Sequence, residues 1–271
     1  MIAIVADSSV YLTKQEAQDL DVHIVPMTYT VDGTTFAEYY SDTNGDYRPK
    51  IHKGKCTTSQ PSMAAYVAMF EELRRQNYEV LCISISSRLS GAYSSALTAA
   101  KEVDGNNIRK VDSRTTAGGM KFLVLRANEL AAQGKTLQET ATTLEVEREN
   151  VAIGFTVESL TPLRKSGRIG FVRQSVGTIL NIRPILLCKD GTVISQDYAK
   201  GGQQQIEKLV QVIPLTVKKV MVHHLGNESA SAILTAAIRA KFPNIEIKTS
   251  LVGPVLGIHL GIPAFGVSWM T

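Results

Sequence analysis

Short apolar runs alternate with longer stretches of helical periodicity through the first half of this 271-residue chain. The runs cover residues 2–6, 23–25, 80–85 and 108–111, and the helical patterns lie near 13–20, 62–76, 91–103 and 117–133. A strand that is apolar on both faces must be covered on both faces, and an intervening helix supplies the crossover that parallel pairing needs. The alternation therefore predicts βαβ units around a parallel sheet.

A second series follows, with strand patterns at 151–157, 184–189, 193–198, 217–223, 245–252 and 264–269. Asp190-Gly191 between two of these runs is a hairpin signal, so this sheet is expected to be mixed. The switch falls near residue 150, after a charged helix that ends at Glu149. The expected class is α/β in two domains: residues 1–150 as a three-layer α/β/α unit with a parallel sheet, and 151–271 as a two-layer α/β unit with a mixed sheet. Residues 31–55 are polar and interrupted by Thr43-Asn44-Gly45-Asp46 and Pro49, which reads as a long surface loop.

Composition narrows the function. Hydrophobic residues make up 44% and charged residues 20%, which suits a folded globular chain. Twenty-nine Lys and Arg against 25 Asp and Glu give a net charge of +4, too small an excess to imply a nucleic-acid partner. Three scattered cysteines, Cys56, Cys82 and Cys188, indicate neither a disulfide framework nor a zinc site. The N-terminus is interrupted by Asp7 too soon for a secretory signal, and the expected location is cytoplasmic. Residues 249–271 lack Asp, Glu, Lys and Arg, but Pro254, His259 and Pro263 break the run, and strand, short helix, strand is the preferred reading.

Familiar catalytic and cofactor signatures fail. Gly-x-Gly-x-x-Gly, His-Glu-x-x-His and Gly-x-Ser-x-Gly do not occur, so no cofactor or metal is expected. Gly134-Lys135-Thr136 mimics the end of a phosphate loop, but Glu129 stands where the first glycine belongs. His223 and His224 are adjacent on a strand and point to opposite faces, which favours structural roles.

Hydroxyl density at element junctions is more telling. Asp7-Ser8-Ser9 ends the first strand and reads as a cap. Thr57-Thr58-Ser59-Gln60-Pro61-Ser62 precedes an amphipathic helix, and one cap does not need four hydroxyls. Ser84 to Tyr93 carries Ser86, Ser87, Ser90 and Gly91 where a buried strand gives way to a helix. Both of these junctions are expected at the carboxyl ends of parallel strands, where α/β sheets place ligands, and their hydroxyls and N–H groups favour an anion. His259 would be a polar handle in the apolar 253–263 segment. Residues 159–189 hold no acid but carry Arg164, Lys165, Arg168, Arg173, Arg183 and Lys189, a face suited to anionic lipid or a phosphorylated partner. Within it, residues 171–180 combine helical apolar spacing with these cations, as core packing or as a lid.

Taken together, Asp7-Ser8-Ser9, Thr58-Ser59-Gln60-Pro61-Ser62, Ser86-Ser87-Arg88-Leu89-Ser90-Gly91, Val111-Asp112-Ser113, Lys165-Ser166-Gly167-Arg168-Ile169, Arg183-Pro184-Ile185 and the His259 segment resemble the DegV family. The resemblance runs nearly the length of the chain. It implies two α/β domains with a long-chain fatty acid, such as palmitate or oleate, between them. In bacterial fatty acid kinase such a carrier presents the carboxylate to a separate kinase subunit and is not itself an enzyme. By position, Thr58 and Ser90 match the hydroxyls that bind the carboxylate, with Ser59 and the Gly91 N–H as neighbours and His259 at the same end. Burying about fourteen methylenes at roughly 0.8 kcal/mol each would contribute about 11 kcal/mol before ordering costs.

Three departures from the family pattern stand out, one mild and two, at Tyr198 to Gln205 and in the atypical segment around Tyr39 to Pro49, that bear on docking to a kinase subunit. Ser166-Gly167-Arg168 replaces the Gly-Gly-Arg that family members often carry, and Tyr198 to Gln205 is much less basic than the matching stretch of many carriers. A competing reading makes the protein an esterase or acyltransferase with Ser90, His259 and an acid such as Asp7 or Asp112. No nucleophile elbow surrounds Ser90.

Overall fold

The computed structural model describes residues 1–170 and 182–271. The segment 171–180 and Arg173 lie outside the described residues. The chain opens with β1 (Ile2–Asp7), α1 (Lys14–Asp19) and β2 (Val22–Val25). It continues through β3 (Met27–Val31), β4 (Thr34–Glu38), α2 (Arg48–Lys53), β5 (Cys56–Ser59) and α3 (Met63–Arg75). Then come β6 (Glu79–Ser84), α4 (Ala92–Val103), β7 (Ile108–Asp112), α5 (Ala117–Ala132) and α6 (Leu137–Glu147).

The expected parallel sheet is present, in the order β2-β1-β6-β7, with all of its pairings parallel. Alternate residues on each strand feed two cores, as strand periodicity requires. Val5, Val80 and Cys82 pack with Tyr66 and Phe70 of α3 and the alanines of α4. Ile4, Leu81 and Ile83 pack with Met120 and Leu123 of α5 and Leu144 of α6. The result is three layers, helices on both faces of the sheet.

Residues 31–55 are not the surface loop that their polarity suggests. Strands β3, β4 and β5 form a small antiparallel sheet in the order β4-β3-β5, and Pro49 sits in the first turn of α2. Thr34 and Thr35 of β4 are exposed, which makes the strand look like loop in sequence, but the strand ends on Glu38, which is fully buried. Thr58 therefore sits on this small sheet and not at the carboxyl end of a parallel strand as expected. Only the Ser90 junction, after β6, keeps that position.

The remainder runs β8 (Val151–Val157), α7 (Thr161–Ser166), β9 (Ile182–Lys189), β10 (Thr192–Lys200) and α8 (Gly201–Gln211). It finishes with β11 (Lys219–Leu225), α9 (Glu228–Lys241), β12 (Ile247–Leu251), α10 (Pro254–Leu260) and β13 (Ala264–Met270). The six-stranded sheet β10-β9-β8-β13-β11-β12 is mixed, antiparallel except between β11 and β12. Asp190 and Gly191 make the expected two-residue hairpin turn, with φ of 50° and 81°. Helices α8 and α9 cover one face through Leu209, Leu234 and Ile238.

The other face of this sheet meets α5. That helix also packs on the parallel sheet, and it is buried nearly all round, from Ala117 to Leu130. Gly118 allows the approach: a Cβ there would lie 2.3 Å from Nε2 of His223. Residues 249–271 form β12, α10 and β13 as preferred, and no described helix is long and apolar enough to cross a membrane.

Candidate functional site

Where α5, α10, the small sheet and the mixed sheet converge, they enclose a cavity of about 390 Å³. Its walls are mainly aliphatic and aromatic, including Met27, Ile85, Phe155, Val193, Val255 and Leu256. This is within the size range of small-ligand pockets, which pair an apolar lining with a few placed polar groups. The polar part of the lining includes four of the five expected site residues. Thr58, Ser59, Ser90 and His259 all line the cavity, together with Gln60 and Arg168.

Each comes from a different element. Thr58 and Ser59 end β5. His259 stands near the end of α10, which is set by Gly253 at the N-cap, Pro254 in the first turn and Gly261 with φ 80° at the close. Ser90 belongs to the loop after β6, and its Oγ accepts from the Ala92 N–H at 3.3 Å. Gly91, the residue before α4, is not among the cavity-lining residues, and the Gln60 carboxamide packs over it, 2.3 Å from where a Cβ would stand.

The central contact is between Thr58 Oγ1 and His259 Nε2, at 2.7 Å. Burial holds the His259 imidazole down at about 4, with the charge of Arg168 acting in the same direction. At neutral pH the ring is therefore uncharged and keeps one proton for its two nitrogens. Its Nδ1 has no partner among the described residues.

The Ser90 loop is pinned from two sides. Asp7 Oδ2 accepts from the Ile85 N–H at 2.7 Å, and the tip of the β9–β10 hairpin meets the loop where Ser86 Oγ donates to the Gly191 carbonyl at 2.8 Å. Arg88 adds a bond to the Asp190 carbonyl. The hairpin of the second sheet thus shapes a loop of the first.

The cationic stretch divides. Arg164 and Lys165 are exposed on α7. Arg168, also exposed, borders the cavity as well, and its Nε donates to the Leu89 carbonyl at 3.3 Å beside Ser90. The adjacent histidines also reach the site, which their sequence did not signal. His223 is buried, bonded through Nε2 to Ser268 Oγ at 2.8 Å, and pushed down to about 3 by burial. Both His223 and His224 contribute to the cavity lining. Among the described residues no cluster of His, Cys, Asp or Glu is arranged to hold a metal ion.

The fold and cavity define a class: an α/β protein of three sheets with a largely apolar pocket that carries hydroxyls and a neutral histidine. The whole chain, residues 1–271, matches the family described as "Uncharacterised protein, DegV family". The chain belongs to the DegV family. It is 30% identical to a DegV domain-containing protein of Halalkalibacterium halodurans, covering 99% of this chain and 98% of that one. A DegV family protein from Thermus thermophilus, whose structure is described as fatty acid binding, is 28% identical with a TM-score of 0.87 over 100% of this chain and 99% of that one. DegV of Bacillus subtilis, described as a fatty acid binding protein, is also 28% identical, with a TM-score of 0.83 over 99% of this chain and 98% of that one.

Proposed function

We propose that this protein is a non-catalytic carrier whose cavity holds a long-chain fatty acid such as palmitate or oleate. The carboxylate sits against Thr58, Ser59, Ser90 and His259, with the Gly91 N–H nearby, and the acyl chain runs along the apolar walls. The observation that carries this reading is the Thr58–His259 pair in the wall of a mainly apolar cavity. If His259 Nε2 holds the imidazole proton, Thr58 accepts it and keeps its own hydroxyl proton for a ligand oxygen. Neutral donors bind a carboxylate through charge-assisted hydrogen bonds without burying a cation in an ion pair. The fatty acid binding described for the relatives from Thermus thermophilus and Bacillus subtilis supports the same ligand class.

A serine hydrolase reading fares less well. A nucleophile needs a base within hydrogen-bond reach, and the Nε2 of His259 is engaged by Thr58 instead of Ser90. The carrier presents the carboxylate to a separate kinase subunit in the cytoplasm. A carboxylate oxygen attacks the terminal phosphoryl group of ATP held by that subunit, giving an acyl phosphate and ADP. The exposed Arg164 and Lys165 supply the docking face, or a transient contact with anionic membrane during loading.

Native mass spectrometry of the protein purified from a bacterial host, followed by organic extraction, tests the ligand. One fatty acid per chain is expected. A protein that is empty and takes up neither oleate nor palmitate overturns the proposal. For the partner, acyl phosphate should form when loaded protein, ATP and a bacterial fatty acid kinase catalytic subunit are combined, and should fall with Arg164→Glu and Lys165→Glu.

A further inference from the structure

Behind the cavity lies a buried acidic hub, of which the site as described uses only the Asp7 contact to Ile85. Asp7 and Glu38 are both fully inaccessible, one at the end of β1 and the other at the end of β4. Ser8 stands between them: its Oγ accepts from the Met27 N–H at 3.0 Å and faces Glu38 Oε1 at 3.4 Å. Tyr11, four residues on from Asp7, is also buried beside Glu38.

Each acid holds one arm of the site. Glu38 Oε2 accepts from the Val255 N–H at 2.9 Å, and the Tyr11 hydroxyl accepts from the Leu256 N–H at 3.2 Å. These are free N–H groups in the first turn of α10, which otherwise has no side-chain cap. One turn further along the same helix is His259. Gly253 makes room for the contact, since a Cβ there would stand 2.6 Å from Glu38 Oε2 and 2.7 Å from Tyr11 Cε1. Asp7 meanwhile binds the Ile85 N–H at 2.7 Å, where the loop to Ser90 begins, and holds Ser9 through Oδ1.

We infer that Glu38 and Tyr11 are positioning residues for His259, and that Asp7 serves the Ser90 loop in the same way, so that one buried segment sets both arms of the carboxylate site. The inference rests on the carrier reading above. No basic side chain bonds either carboxyl among the described residues. Burial is the largest influence on both and pushes Asp7 up to about 6 and Glu38 up to about 8, against the pull of their N–H donors. A protonated Glu38 retains a carbonyl oxygen for the Val255 N–H, which is why Gln is its conservative replacement.

The test is a thermodynamic cycle on the full chain, read as the dissociation constant for oleate and, separately, for oleyl alcohol, which has the same chain without the carboxylate. Glu38→Ala and Tyr11→Phe should each weaken oleate binding about tenfold while changing oleyl alcohol binding little. Glu38→Gln should restore oleate binding. In a His259→Ala background, Glu38→Ala and Tyr11→Phe should have no further effect, because the residue they position is gone. An equal loss for both ligands, or a full tenfold loss that persists without His259, overturns the inference. Tyr11→Phe carries the same test if Glu38→Ala does not fold. A wild-type protein that binds neither ligand counts against the carrier reading itself.

Discussion

Thr58 and His259 stand 201 residues apart in the chain, yet their side chains meet at 2.7 Å in the wall of one cavity. The pair joins the small sheet to α10. It gives an apolar cavity a direction, because a ligand with one polar end has one way to lie.

Replacing Thr58 by Val keeps the shape and removes the hydroxyl. A hydrogen bond to a charged group contributes about 1.5 kcal/mol or more, so oleate affinity should fall by roughly tenfold. Isothermal titration of delipidated protein measures this, and the thermal midpoint should move little because Thr58 is only half-buried.

The hairpin tip offers a remote handle on Ser90. Gly191 has φ 81°, and a Cβ there would lie 2.7 Å from Ser86 Oγ. Gly191→Ala should cost about 1–2 kcal/mol from backbone strain alone. It should also weaken fatty acid binding by displacing the Ser86 to Ser90 loop. Differential scanning calorimetry and ligand titration on the same sample separate the two effects.

Much of this was legible from the sequence, and the failures have physical causes. Strand and helix periods are local, so the four parallel strands, their helices and the Asp190-Gly191 hairpin were readable directly. Thr58, Ser59, Ser90 and His259 were found as hydroxyls and a histidine in unusual settings, and the structure gathers them around one cavity. What joins them was not visible, because partners 201 residues apart leave no spacing to read. Residues 31–55 misled because β4 is a mostly exposed strand whose single buried side chain is an acid, opposite to the usual pattern. Arg168 looked like its neighbours Arg164 and Lys165 because charge alone does not say which way a side chain turns.

Stability should respond to pH in a way that singles out Glu38. Its ordinary value of 4.5 is raised to about 8, so the folded state holds a proton that the unfolded chain releases, and stability drains away as pH rises through the interval between them. Asp7 acts likewise over a narrower range, from 3.8 to about 6. His259 and His223 act in the opposite sense, lowered by burial, and cost stability as pH falls below 6.5. Between pH 6.5 and 8 the Glu38 effect therefore dominates. The thermal midpoint should decline across that interval in the wild type and stay nearly level in Glu38→Gln.

The cavity wall also carries a test of occupancy. Cys188 is buried, lines the cavity and is pushed up to about 12 by burial. Cys188→Trp should fill ligand space at an overpacking cost of about 1–3 kcal/mol. Extracted fatty acid per chain should drop well below that of the wild type, while a mutation of exposed Glu246 leaves it unchanged.

The inner helix α5 is wrapped by both sheets, with apolar side chains spent on each. A chain cut near residue 150 would leave β8, β13 and β11 facing water where α5 had been, so neither piece inherits a finished core. The two halves should then melt in one transition rather than two, and the amides of α5 should be the last to exchange with solvent. A ligand lodged against the start of that helix touches the one element whose loosening would require the whole molecule to open.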